Sequence, residues 1–324
     1  MTRASPTSLP VTRAADLTDV PRARRWLVED LWSDEAVGIV GGEPKCCKSF
    51  LALDLAVAVA SGAPCLRRFA VARTGRVLLY AAEDALHVVR QRLAGIARAA
   101  GRELADLDIQ VITAPSVRLD VERDRDALTE TVDTLRPRLL VLDPFVRLHR
   151  IDENISGEVA PLLAYLRELQ RRYHVAVVLV HHARKGGAKL RAGQALRGSS
   201  EFHAWGDSNL YLRRQGDQLT LSVEHRAAAS ISNVQLVLDT GNASVALRTI
   251  ESSAVDEPTI SATRPDLSLE QRLVDHLAAA TMPISATALR KLCRVRNTAL
   301  SHALAALVDA GRVRKDRTGY ALAR

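Results

Sequence analysis

The stretch Val37-Gly38-Ile39-Val40-Gly41-Gly42-Glu43-Pro44-Lys45-Cys46-Cys47-Lys48-Ser49-Phe50 decides how the rest of the chain is read. A short apolar run of buried-strand type ends in glycines, and Lys48-Ser49 follows at the spacing of a phosphate-binding loop, G-x-x-x-x-G-K-[ST]. One residue departs from that pattern: Cys47 stands where the second glycine belongs. Such a loop works through backbone N–H groups that curl around phosphates, helped by the positive end of the next helix. Gly42, Glu43, Pro44, Lys45, Cys46, Cys47, Lys48, Ser49 and Phe50 are therefore the candidate nucleotide-binding residues. Lys48 would bridge the β- and γ-phosphates, and the Ser49 hydroxyl would bind Mg²⁺. A side chain at position 47 would crowd the phosphates, or strain the turn if that residue needs a positive φ. Cys is small enough to be tolerated there. The plainer alternative is a strand–turn–helix with a chance Lys-Ser.

Residues 49–60 are rich in Ala and Leu and have helical length, with an exit at Ser61-Gly62. Further apolar runs end in groups that carry chemistry. Leu139–Leu142 ends in Asp143, a carboxylate placed to hold the Mg²⁺ shell. Val77–Ala82 ends in Glu83-Asp84. At the C-terminal end of a parallel strand such acids face the ligand crevice, so Glu83 is read as the base that activates water and Asp84 as the cap of the following helix. Val175–Val180 ends in His181-His182. Adjacent side chains on a strand point to opposite faces, which favours one of them as a γ-phosphate sensor over a paired metal site.

Taken together, Gly42-Glu43-Pro44-Lys45-x-x-Lys48-Ser49, Ala82-Glu83-Asp84, Leu142-Asp143-Pro144, His181-His182-x-Arg184-Lys185 and Arg197-Gly198-Ser199-Ser200 resemble the RepA-like branch of RecA-fold, AAA-type ATPases. That branch includes hexameric plasmid replicative helicases and is related to the DnaB and KaiC families. The resemblance covers about residues 24–250 and implies ATP as ligand with Mg²⁺ as its cofactor. It implies a homo-oligomeric ring, and single-stranded DNA in the channel. By the same resemblance Glu83 is the catalytic glutamate, Asp143 the metal-shell aspartate and His182 the phosphate sensor. Arg226, in Ser222-Val223-Glu224-His225-Arg226-Ala227, matches the arginine of a finger that reaches a neighbouring subunit's ATP; Glu224 replaces the lysine of that finger.

The composition agrees with a soluble, core-forming chain. It has 324 residues, 47% of them hydrophobic, with four cysteines that form no disulfide or zinc framework. No apolar run reaches the roughly 18 residues of a membrane span, because Asp54 interrupts the best candidate. A cytoplasmic protein with no membrane partner is expected. The net charge of +8 is uneven: residues 261–324 hold 11 Lys or Arg against 5 Asp or Glu, so +6 lies there. A basic tail points toward nucleic acid.

The expected architecture is α/β: a RecA-like P-loop core with a mainly parallel sheet, plus a small C-terminal winged helix-turn-helix domain. Residues 1–23 read as a flexible lead-in, 24–250 as the core, 251–266 as a linker and 267–324 as the winged helix. Helices are expected at 84–99, 124–135 and 157–172, and successive edge strands at 207–213, 218–224, 233–239 and 244–249. The segment 183–200 reads as a basic loop, with Arg184, Lys185, Lys189 and Arg191 as candidate contacts to single-stranded DNA. In the tail, helices are expected at 268–280, 285–293 and 297–310, then two short strands around a basic turn. Arg294, Arg296, Asn297, Ser301 and His302 on or before the third helix, with Arg314 and Lys315 in the wing, are the candidate contacts to duplex DNA.

Overall fold

A computed structural model describes residues 11–17, 25–182, 201–241, 244–250 and, further on, 269–278, 283–293, 300, 303–304, 306–308, 310–316 and 319–323. The chain divides into two compact units, Met1–Ser252 and Ser253–Arg324. The first unit opens with a short antiparallel pair, β1 (Trp26–Val28) and β2 (Trp32–Ser33). Then follow β3 (Val37–Gly42), α1 (Lys48–Ser61), β4 (Val77–Ala81), α2 (Leu86–Ala99), β5 (Ile109–Val111), α3 (Glu122–Leu135), β6 (Leu139–Asp143), α4 (Ser156–Tyr173) and β7 (Ala176–His182). The unit ends with α5 (Glu201–Trp205), β8 (Ser208–Gln215), β9 (Gln218–His225), β10 (Ile231–Thr240) and β11 (Val245–Thr249).

From β3 to β11 the strands make one mixed sheet in the order β11-β10-β9-β8-β3-β7-β6-β4-β5. The half from β8 to β5 is parallel, and β9, β10 and β11 extend it as antiparallel neighbours. A parallel strand buried on both faces has to be apolar at every position, and β3, β6 and most of β7 are buried throughout. Alternate residues then feed two cores. Val40, Leu79, Val141, Val178 and Val180 pack with α1 and α2 on one face. Ile39, Leu78, Leu140, Leu142 and Leu179 pack with α3, α4 and α5 on the other. Each fully buried Val or Leu contributes about 1.5–3 kcal/mol. Gly38 lets β3 lie close against β8: a Cβ there would sit 1.7 Å from the Ser208 carbonyl oxygen.

Helix α1 is buried almost all round, including Asp54, which has no solvent exposure. Its carboxylate accepts the Leu66 N–H at 2.7 Å and pairs with Arg67. Burial pushes the Asp54 carboxyl above its usual value, against the pull of Arg67. The acid that interrupts an otherwise apolar run is thus the tie between α1 and the loop that follows it.

The helices expected at 84–99, 124–135 and 157–172 correspond to α2, α3 and α4, and the four edge strands to β8 through β11. One expectation needs correction. Asp84 does not cap α2: the cap position is Ala85, without a side-chain bond, and the Asp84 carboxylate pairs instead with Arg92, further along the helix. The strands β1, β2 and β5 went unread because each is too short to show an alternation.

The second unit has α6 (Leu269–Ala278) and α7 (Ala286–Cys293), then β12 (Val313–Lys315) paired antiparallel to β13 (Tyr320–Leu322). Ile284 bridges to Tyr320 beside that pair. Leu273, Leu277, Leu289, Cys293, Leu304 and Leu307 share its core. The linker 251–266 and half of the helix expected at 297–310 lie outside the described residues; residues 300, 303–304 and 306–308 are helical. The reading of 1–23 as a flexible lead-in also falls largely outside them.

Replacing Asp54 with Ala leaves the Arg67 guanidinium and the Leu66 N–H without their shared acceptor. Breaking such a buried pair typically costs about 3–5 kcal/mol, and a urea melt of Asp54→Ala against the parent should show a loss of that order.

Candidate nucleotide site

The strand period places the site. On β7, Val178, Val180 and His182 share the face that carries α1, while His181 points to the opposite core. There His181 stacks on Phe202 at 4.3 Å between ring centroids. On β6, Val141 and Asp143 are likewise on the α1 face. Glu83 follows two residues after Ala81, whose side chain packs toward the same core. β4 and β6 run in register, with Ala81 opposite Asp143, so the acids arrive at one level beside the start of α1.

They line a cleft of ≈ 290 Å³ with Lys45, Cys47, Lys48, Ser49, Phe50, Arg92, Pro144, Val180 and His182. Of the expected catalytic group, Lys48, Ser49, Glu83, Asp143 and His182 therefore meet in one place. The Lys48 ammonium is nearly buried and donates to the Glu43 carbonyl at 2.8 Å, folded back across the loop. Asp143 is buried, with the Ser49 hydroxyl bonded to its carboxylate. Burial is the main reason its pKa is pushed up to about 6, and the charges of Asp84 and Glu83 push the same way. Glu83 is half-exposed and takes the Arg147 guanidinium at 2.8 Å. Arg92 lies over the Phe50 ring, 5.3 Å from its centroid.

The loop itself has the backbone that the glycine pattern demands. Cys47 is left-handed at φ 65°, and so is Lys45 at φ 64°. Gly42, at φ 155°, has no room for a Cβ, which would meet the Leu212 carbonyl oxygen at 2.4 Å and Cys46 Sγ at 2.6 Å. The departure from the pattern is thus a side chain in a conformation that costs a non-glycine residue about 1–2 kcal/mol. The two thiols differ. Cys46 is fully buried under the loop, and burial pushes its thiol pKa up rather than down, contrary to what a helix N-terminus beside a lysine suggests. Cys47 is partly exposed on the cleft wall, where its Sγ accepts a hydrogen bond from Arg214 Nη2 at 3.4 Å.

Arg214, Arg92 and Arg147 are contributors that sequence reasoning missed. Arg147 and Arg92 come from turn and helix segments with no motif of their own. Arg214 could have been found from the alternation Leu210, Leu212, Arg214, which continues the α1-facing side of β8.

Arg226 lies elsewhere. It follows β9, beside Asp207 and the start of β3, and its backbone N–H donates to the Asp207 carbonyl at 2.9 Å. A six-residue β3 puts it about 20 Å along the sheet from its own P-loop. Its guanidinium is bonded to the Ala204 carbonyl and sits 3.5 Å from Asp207, in a separate cleft with His203 and Glu224. Arg184, Lys185, Lys189, Arg191, Arg294, Arg296, Asn297, Ser301 and His302 lie outside the described residues. Arg314 is exposed on β12, which also includes Lys315.

A serine hydroxyl bonded to a buried carboxylate is the hard oxygen donor set that suits Mg²⁺, which usually takes one or two carboxylates and completes its shell with water and phosphate. Among the described residues there is no cluster of three or more His, Cys, Asp or Glu able to hold a metal by themselves.

Two measurements follow from this geometry. Cys47→Gly relieves the left-handed strain at some cost in chain entropy; it should fold at least as stably as the parent and bind nucleotide more tightly, as read by a urea melt and a titration. The raised Asp143 value means that the folded protein holds that proton more tightly than the unfolded chain, whose value is about 3.9. Its stabilising contribution is full below about pH 4 and is lost as pH rises through about 6. Asp143→Asn should therefore melt higher than the parent at pH 8 without nucleotide, by on the order of 3 kcal/mol, and the gap should close toward pH 4.

A comparison with protein families supplies independent support. The family described as AAA domain matches residues 3–188, more than half of the chain and inclusive of the P-loop, Glu83, Asp143 and both histidines. Among the described residues no helix is long and apolar enough to cross a membrane. With that match joined to the P-loop geometry, the chain belongs to the AAA domain family, and its larger unit carries an AAA-type ATPase domain.

Proposed function

We propose that the protein is a RecA-type motor of the RepA-like kind, which hydrolyses ATP to move along DNA as a plasmid or mobile-element replicative helicase. The observation that carries this reading is the meeting of Lys48, Ser49, Glu83, Asp143 and His182 on one cleft from separate strand ends. Lys48 leaves the Glu43 carbonyl to take β- and γ-phosphate oxygens. Ser49 and Asp143 would hold Mg²⁺, which would neutralise charge that develops on the phosphates. Glu83, released from Arg147, orients and deprotonates the attacking water, and His182 contacts the γ-phosphate. Arg226 is too far along the sheet to serve its own site. Its half-exposed position at the other end of the sheet suits a finger that completes a neighbour's site in a hexameric ring. The second unit is read as a winged helix: α6 and α7 with a paired β12 and β13, and Arg314 exposed in the wing for duplex DNA.

The left-handed Cys47 favours a second reading, a slow regulatory ATPase that binds DNA under nucleotide control. ATPase assays with and without single-stranded DNA, and a forked-duplex unwinding assay, separate the two. For the motor, single-stranded DNA stimulates turnover and ATP drives strand separation. For the regulator, ATP changes DNA affinity and the fork stays paired. In both readings Lys48→Ala and Glu83→Gln should lower turnover, the latter by about 10²–10⁴-fold as for a lost general base. Unchanged turnover in both variants overturns the ATPase assignment.

A further inference from the structure

Arg214 is the last cation on the P-loop side of β8. Residues Val40, Gly41 and Gly42 of β3 pair in parallel with Leu210, Tyr211 and Leu212, so Arg214 lies one period beyond the end of β3, at the level of the loop. Leu210 and Leu212 face the core that includes α1, and the period of two sends Arg214 to that same side. Beyond it the strand turns back through Gly216, at φ 58°, into β9, with Arg214 opposite Leu219. The side chain is exposed, and its Nη2 donates to Cys47 Sγ at 3.4 Å. Among the described residues no carboxylate lies within ion-pair distance of it. A cysteine sulfur is a weak acceptor, whereas a phosphate offers a guanidinium charge-assisted and paired bonds.

We infer that Arg214 is a phosphate-contacting residue of the nucleotide site, supplied by the same chain, and that the Cys47 thiol is the weak partner it gives up on binding. This rests on the reading of the cleft as an ATP site. The ligand class is a nucleoside di- or triphosphate. Cys47 precedes Lys48, and the loop backbone before the lysine cradles the α- and β-phosphates while the lysine reaches β and γ. Arg214 therefore acts on phosphates that ADP and ATP share. Its role differs from that of His182, which is assigned to the γ-phosphate alone.

The test is equilibrium binding of ATP, ADP and adenosine to the full chain, with Arg214→Ala, Arg214→Lys and Lys48→Ala beside the parent. Arg214→Ala should weaken ATP and ADP alike, by about 10- to 100-fold as for a lost charge-assisted bond. Arg214→Lys should recover part of that loss, and adenosine affinity should not move. The exposed side chain should leave the melting temperature of the nucleotide-free protein unchanged. Loss of nucleotide binding in Lys48→Ala with full binding in Arg214→Ala overturns the inference and leaves the ATP site standing. An equal loss for adenosine also overturns it, because a phosphate contact cannot act on a ligand without phosphate. A parent that binds neither nucleotide overturns the ATP-site reading itself.

Discussion

The in-register parallel pairing of β4, β6 and β7, continued by β3, is the constraint on which the candidate site depends. Because these strands are buried on both faces, they cannot slip by one residue without turning every side chain to the wrong core. That fixed register sets Asp143, Glu83 and His182 on the face of α1 and sends His181 to the other side. The packing that stabilises the fold and the placement of the polar groups are therefore the same fact. A looser sheet could keep the motifs and lose their convergence.

The polar groups at this convergence are held under tension. Asp143 is buried, the charges of Asp84 and Glu83 act against its own, and the Lys48 ammonium acts to offset them. Lys48 spends its bond on a backbone carbonyl, and Glu83 spends its own on Arg147. Each of these pairings uses up a group that a phosphate or a metal ion would satisfy better. Such a site favours a ligand that brings both negative phosphates and a divalent cation, since only the pair together relieves Lys48 and Asp143. The left-handed Cys47 adds strain of a different kind, in the backbone, beside the same groups.

Most of this was legible in the sequence where the signal was periodic or spaced. Val37–Gly42 reads as a buried strand from composition alone, and Lys48-Ser49 fixes the loop that follows. The edge strands β8 to β11 were legible from alternation. Spacing alone does not tell His181 from His182; the face of β7 that meets α1 carries His182 to the cleft and sends His181 against Phe202. Asp84 was misread because capping and pairing with an arginine one or two turns along a helix ask for the same residue type. Arg92 and Arg147 were invisible for a related reason. An arginine outside a motif looks like any surface charge until the fold shows what lies across from it.

The strand order also bears on what can add to the edges of the sheet. An open sheet has two edges, each a row of unpaired backbone groups that invites another chain to add on. Here one edge is β5, only three residues long, and the other is β11. β11 carries Arg248, paired at 3.1 Å with Asp239 of β10, and its Thr249 N–H points to the Leu66 carbonyl of the loop that Asp54 anchors. A short edge and a charged, loop-covered edge both discourage strand addition. The buried tie inside α1 thereby extends its influence to the rim of the sheet, where it helps to keep copies of the chain from joining edge to edge.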